Sequence, residues 1–257
     1  MKIGLIGSGN MARALARGWR EPVLCSDSGS GSAQALADEL GGERLASNRE
    51  LAERADLVVL CHKPYHLDEV ADEIRDCVTI VVSVLGGIST AVLQKAYPGA
   101  QVFTVMPNTP VEIRQGVIVY EQRAARLEAP DATVEAQVLE LFGRLGRVVP
   151  VPERLMPAAT AISGVGPAYQ ALLAEAQVDA AVRRGLGAQL ASQLVTATMS
   201  GSAALIEAKG HDTLAVRREV TSPGGSTARG LDALERGNVR TAFQDAIEAV
   251  INSERGR

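Results

Sequence analysis

The chain has 257 residues, 46% of them hydrophobic and 22% charged, with a formal net charge of −4 and only 3% aromatics. That length can bury one large core or two modest ones, built here mostly from Ala, Leu and Val. A mildly acidic chain without a basic run argues against a phosphate-tracking nucleic-acid binder and offers a membrane surface nothing to hold.

Residues 2–7 (KIGLIG) form a short apolar run ending in glycine, and residues 10–19 follow with apolar side chains at helical spacing. Residues 22–26 predict a second strand, the tract SDSGSGS at 26–32 a turn, and residues 32–40 a helix. Further apolar strands are expected at 57–61, 78–84 and 101–106, with helices near 66–76 and 89–96 between them. Apolar strands alternating with helices indicate a parallel sheet covered on both faces, and right-handed crossovers make it doubly wound. The last strand signals are 117–120 and 147–151, separated by a helix near 131–145.

From Glu153 the chain turns Ala-rich, with helices expected near 154–162, 167–184, 187–207, 212–220, 224–236 and 238–254. The expected division is therefore an α/β domain over 1–152 and an all-helical domain over 153–257. The segment 187–207 is apolar over much of its circumference, which suits burial in a subunit interface. Cys25, Cys61 and Cys77 are odd in number and lack metal-ligand spacing, so they read as free thiols. His62, His66 and His211 are too scattered for a zinc site, and no metal is expected. The N-terminus lacks a signal-peptide pattern and no apolar run spans a bilayer, so a cytoplasmic location is expected.

Gly7-Ser8-Gly9-Asn10-Met11-Ala12 joins the first strand, ending at Ile6, to the first helix and gives the dinucleotide fingerprint G-x-G-x-x-A. Gly7 permits the tight turn, Gly9 lets a pyrophosphate approach the backbone, and Ala12 lets helix and strand pack closely. Asp27 ends the second strand 20 residues after Gly7, the spacing of a carboxylate that binds the adenosine ribose. Such a group suits NAD and repels the 2′-phosphate of NADP. Its alternative is to cap the turn, and NAD(H) and NADP(H) both stay open, with a lean to NAD from this loop.

The other strand-end loops line the same crevice in a doubly wound sheet. Lys63, in Cys61-His62-Lys63-Pro64, can meet a phosphate or ribose. Gly86 and Gly87 can admit a nicotinamide ring, and Asn108, in MPNTP, can face a ligand or brace its turn. In the helical half, Thr221-Ser222-Pro223-Gly224-Gly225-Ser226-Thr227 opens a helix with Ser222 as cap and two glycines in its first turn. Free amides at such a terminus suit a small carboxylate.

With GLIGSGNMARALARG (4–18), KP (63–64), MPNTP (106–110), SGVGPAY (163–169) and TSPGGSTARGL (221–231) in this order, nearly the whole chain resembles the pyrroline-5-carboxylate reductase family. The resemblance implies a Rossmann domain followed by a helical dimerisation domain, reduction of a cyclic imine carboxylate to proline by NAD(P)H, and a homodimer or higher homo-oligomer. It also implies that Asn48 contacts the adenosine ribose region and that residues 61–64 and 85–87 border the cofactor. The substrate carboxylate would then rest on Ser222, Gly224, Gly225 and Ser226, with the Thr227 hydroxyl facing the imine nitrogen. The chain departs from the usual family pattern at Cys61-His62, at Leu85-Gly86-Gly87 and over 210–220.

Overall fold

The structure, a computed structural model, describes residues 1–29, 31–123 and 127–255. Ser30, inside the 26–32 tract, and the last two residues of the helical half lie outside the described residues. Two compact units emerge, Met1–Pro167 with the chain from Ser253 onward, and Ala168–Asn252.

The first unit carries one eight-stranded sheet. Its strands are β1 (Ile3–Ile6), β2 (Leu24–Ser26), β3 (Glu43–Arg44), β4 (Leu57–Leu60), β5 (Ile80–Ser83), β6 (Gln101–Pro107), β7 (Gly116–Gln122) and β8 (Gly146–Pro152). They lie in the order β3-β2-β1-β4-β5-β6-β7-β8. Helices α1 (Asn10–Trp19), α2 (Ser32–Leu40), α3 (Asn48–Arg54), α4 (Leu67–Ile74), α5 (Thr90–Ala96), α6 (Ala132–Gly143) and α7 (Met156–Ser163) complete this unit.

Alternation along the strands feeds two cores. In β4, Leu57 and Val59 join Leu15, Trp19, Phe103 and Phe142, while Val58 and Leu60 join Leu51, Ile74, Leu93 and Tyr97. Successive side chains of a strand point to opposite faces, so a strand with both faces covered must be apolar throughout. The single tryptophan, Trp19, donates its indole N–H to Leu141 O at 3.0 Å and meets Phe142 edge to face at 5.5 Å.

All neighbouring strands pair in parallel except β6 and β7. The connection between those two is only Asn108–Gln115, too short for a parallel crossover. Asn108 closes it: its amide oxygen accepts Val117 N–H at 2.8 Å and its side-chain N–H donates to Ser163 O at 3.0 Å. Of the two roles open to this residue, the structure thus gives bracing the turn.

Two elements are absent from the sequence expectation. β3 is two exposed charged residues with no apolar signal. α3 is announced only by its cap, in which Ser47 Oγ accepts Glu50 N–H and Glu50 accepts Ala46 N–H.

The second unit is helical: most of α8 (Gly166–Val182), α9 (Ala188–Ala208), α10 (Thr213–Glu219), α11 (Ser226–Arg236) and most of α12 (Val239–Arg255). Tyr169 and Phe243 meet edge to face at 6.1 Å, and Asp212 caps α10 by accepting Ala215 N–H at 2.9 Å. Within one chain α9 buries only Ala191 and leaves Leu190 and Leu194 about half exposed. Among the described residues no helix is long and apolar enough to cross a membrane.

Candidate functional site

β1 has β2 on one side and β4 on the other, so the chain reverses direction across the sheet there and leaves a crevice at the strand ends. Gly7 turns the chain at that point with φ +93°, and a Cβ would sit 2.7 Å from His62 N and 2.8 Å from Cys61 C. Only glycine satisfies both the left-handed conformation and this backbone-to-backbone approach. Gly9 differs: its backbone is extended, and a Cβ there would meet nothing of the chain within 4 Å. That open space lies before the first turn of α1, whose N-cap Gly9 offers no side chain to its amides.

Asp27 follows β2. Its Oδ2 accepts hydrogen bonds from Ser32 Oγ at 3.1 Å, Ala33 N at 2.9 Å and Ser8 Oγ at 3.3 Å, and its Oδ1 accepts Gly29 N–H at 3.0 Å. The carboxylate therefore caps the turn and α2 while bordering the cleft. Asn48 is also braced, accepting Ser26 Oγ–H at 2.7 Å and donating to Glu73 Oε2 at 2.8 Å.

These residues open onto one cleft of about 1200 Å³. Of the sequence-predicted cofactor residues, Ile6, Gly7, Ser8, Gly9, Asn10, Met11, Asp27, Asn48, Cys61, His62, Lys63, Pro64 and Gly86 line it. Gly87, with φ +75°, sits one residue beyond the lining, and Asn108 lies outside it. Asn108 uses one side-chain N–H and its amide oxygen on backbone groups, which is the bracing role of the two the sequence offered. Sequence reasoning missed Arg49, Tyr65, His66, Glu69 and Glu73, which also line the cleft. For Arg49, Tyr65 and His66 the signal was position next to Asn48 or the Lys63-Pro64 loop, whereas Glu69 and Glu73 enter from α4.

His62 carries the least satisfied group in the cleft. Its Nδ1–H donates to Lys63 O at 2.8 Å, and Nε2 is buried with no partner among the described residues. Burial holds the imidazole below its ordinary value of 6.5. A neutral ring then presents Nε2 as an acceptor. Burial also pushes the thiols of Cys25, up to about 12, and Cys61 upward, which keeps both as inert thiols. An uncapped helix terminus, an open space before Gly9 and an unpaired acceptor at Nε2 together fit a ligand carrying phosphates and hydroxyls.

The second set of predicted residues lies in the second unit. Gly224 adopts φ +70°, Gly225 N–H donates to Ser222 O at 3.0 Å, and α11 starts at Ser226 with Gly225 as N-cap, so Ser222 is not the expected cap and both glycines precede the helix. Ser222, Gly224 and Ser226 are exposed, and Gly225 and Thr227 are partly buried. Thr221 and Ala228, the chain neighbours of Ser222 and Thr227, line a second, shallow pocket together with Leu214, Arg217, Arg218, Leu231 and Glu235.

A glycine turn feeding an uncapped helix at the switch point of a doubly wound sheet defines the class of dinucleotide-dependent oxidoreductases. Residues 2–87 match the family model described as NADP oxidoreductase, coenzyme F420-dependent, and residues 153–256 match pyrroline-5-carboxylate reductase dimerisation. The chain is 33% identical to the pyrroline-5-carboxylate reductase of Synechocystis, covering 97% of this chain and 95% of that one. It is 30% identical to the Arabidopsis thaliana enzyme over 99% of this chain and 94% of that one. The Plasmodium falciparum pyrroline carboxylate reductase, solved with NADP bound, superposes with a TM-score of 0.86 at 28% identity, covering 100% of this chain and 97% of that one. The chain belongs to the pyrroline-5-carboxylate reductase family.

Proposed function

We propose that this protein reduces 1-pyrroline-5-carboxylate to proline with NAD(P)H. One observation carries the reading. A chain of this family, matched along nearly its whole length by enzymes of that name, keeps both a cleft lined by its glycine turn and an uncapped glycine-rich turn at α11. When bound, the reduced dinucleotide supplies a hydride to the imine carbon.

The chain's own groups hold and orient. The first-turn amides of α1, with Ser8 and Asn10, receive the pyrophosphate, and the close approach depends on Gly9. Asp27 and Asn48 border the adenosine ribose, His62 Nε2 accepts a hydroxyl, and Lys63 offers a cation to phosphate. Gly86 and Gly87 leave room for the nicotinamide ring. The amides of Gly224, Ser226 and Thr227, in a turn that Gly225 closes onto Ser222 O, hold the substrate carboxylate at a positive helix end, with the Ser222 and Ser226 hydroxyls beside them. Thr227 is the catalytic residue of this reading: its hydroxyl donates to the imine nitrogen as that atom gains its proton.

In this reading residues 1–152 form the dinucleotide domain, and residues 153–257 form the substrate-binding and dimerisation domain. The half-exposed leucines of α9 and the dimerisation match support a homodimer as the working unit. Free thiols at Cys25, Cys61 and Cys77 suit a reducing cytoplasm. The test is incubation of the purified protein with 1-pyrroline-5-carboxylate and NADH or NADPH. Proline appearing in step with dinucleotide oxidation supports the proposal. Dinucleotide binding without imine-dependent oxidation would overturn it and favour a nucleotide-sensing relative.

A further inference from the structure

Seven polar or charged residues are buried among the described residues, and four of them form a single row. Ser83 on β5 pairs with Thr104 on β6. Extending the β6–β7 register by one pair sets Thr104 against Glu121 on β7. Thr90, the first residue of α5, closes the group: its Oγ1 lies 2.9 Å from Thr104 Oγ1, and its N–H donates to Glu121 Oε1 at 3.1 Å. At the other end of the row, Ser83 Oγ accepts Leu85 N–H at 3.2 Å.

The segment between those two held amides is Leu85–Ser89, the loop after β5. Val84, Leu85 and Gly86 line the cleft, and Gly87 turns the loop with φ +75°. Ser89, the N-cap of α5, makes no side-chain cap bond. Glu121, from a strand two places away in the sheet, takes over that function, and a carboxylate at a helix start is favourable. Glu121 is only 4% exposed, an expensive place for a carboxyl group unless it holds something. Glu153, just past β8, and Arg123, just past β7, are the charged groups that act on it. β6 and α7 contribute no charged residue.

We propose that Glu121 is a positioning residue for the reaction: through Thr90 it fixes the start of α5, and with it the cleft-lining Leu85–Ser89 loop. It acts through that loop and touches neither substrate nor cofactor. The proposal rests on the dinucleotide reading of the cleft, in which Gly86 and Gly87 border the reactive ring. The adenosine and pyrophosphate contacts of that reading lie elsewhere, on the loops after β1, β2, β3 and β4. Loosening the loop therefore lowers turnover more than cofactor affinity.

The experiment compares wild type, Glu121→Ala and Glu121→Gln. It reads kcat, NADH dissociation constant and amide hydrogen exchange over residues 84–92. Glu121→Ala is expected to lower kcat about tenfold, the consequence of one buried acceptor lost. Its NADH dissociation constant should stay within about twofold, and exchange over 84–92 should quicken. Glu121→Gln keeps an acceptor for Thr90 N–H and should restore most of the kcat and slow the exchange again. Wild-type kcat and unchanged exchange in Glu121→Ala would overturn the proposal. So would a kcat loss matched by an equal loss of NADH binding, which marks general destabilisation. A wild-type protein inert toward the imine would sink the substrate assignment instead, and the exchange data would still decide whether Glu121 holds the loop.

Discussion

Ser8 Oγ stands 3.3 Å from Asp27 Oδ2 and 2.6 Å from Ser32 Oγ, so the glycine turn after β1 and the turn after β2 are fastened together. Asp27 is thus both a cap for α2 and a fixed negative charge beside the cleft. Of the two readings that the sequence left as alternatives, the capping role is the one its hydrogen bonds display. Its spacing from Gly7 was legible; its hydrogen bonds to Ser8, Gly29, Ser32 and Ala33 were not, because they depend on how two loops meet.

Asp27→Asn removes the charge and keeps the shape. The ratio of kcat/KM with NADPH to that with NADH is expected to rise, because a carboxylate repels the 2′-phosphate and an amide does not. Both carboxylate oxygens accept backbone N–H groups and an amide keeps only one acceptor, so stability should fall by roughly 1 kcal/mol. Steady-state kinetics with both dinucleotides, alongside thermal unfolding, checks the pair of effects. An unchanged ratio would place the 2′-position away from Asp27.

Gly9→Val separates folding from binding. The backbone there is extended and a Cβ meets nothing within 4 Å, so the variant should fold with a melting temperature near wild type. The valine side chain then occupies the approach to the first turn of α1. NADH titration by fluorescence should give affinity at least about tenfold weaker, and undiminished affinity in the folded variant would contradict the pyrophosphate assignment.

Protonation of His62 should act on stability with a definite sign. Its folded value lies below the ordinary 6.5, so the unfolded chain binds the proton more tightly. This contribution is complete above about pH 6.5 and is lost as pH falls through that value toward the folded one. Unfolding free energy measured from pH 7 to pH 5 should therefore drop more steeply for wild type than for His62→Asn. Parallel curves would mean that the ring is solvated.

Much of the fold was readable because the strands are buried on both faces: Ile3–Ile6 and Leu57–Leu60 have no exposed residue. The residues that line the cleft were readable for a related reason, since a parallel sheet places its strand-end loops at one crevice. What escaped was held by side chains from distant segments. Asn108 could be read as a ligand contact or a brace, and the bonds that make it a brace reach Val117 and Ser163. Tyr65 and His66 carry no periodicity and enter the cleft through the short turn at Pro64–His66. Glu121 looked like one more strand residue and is the acceptor for the start of α5.

Thr227→Val keeps β-branching and removes the hydroxyl at the start of α11. Losing one donor to a nitrogen that gains charge should lower kcat/KM by about tenfold to a hundredfold, from roughly 1.5–3 kcal/mol. NADH affinity should hold. Activity near wild type would assign proton delivery to water or another group, and a matched loss of NADH binding would make the turn part of the cofactor site.

The most direct test of the account follows the hydride itself. NADH or NADPH carrying deuterium at the transferable C4 position is incubated with 1-pyrroline-5-carboxylate and the protein, and the product is examined by mass spectrometry and NMR. The account predicts proline with a single deuterium at C5, the former imine carbon, formed in step with oxidised dinucleotide. Dinucleotide oxidation without labelled proline, or no imine-dependent oxidation by a folded protein that binds the dinucleotide, would contradict it.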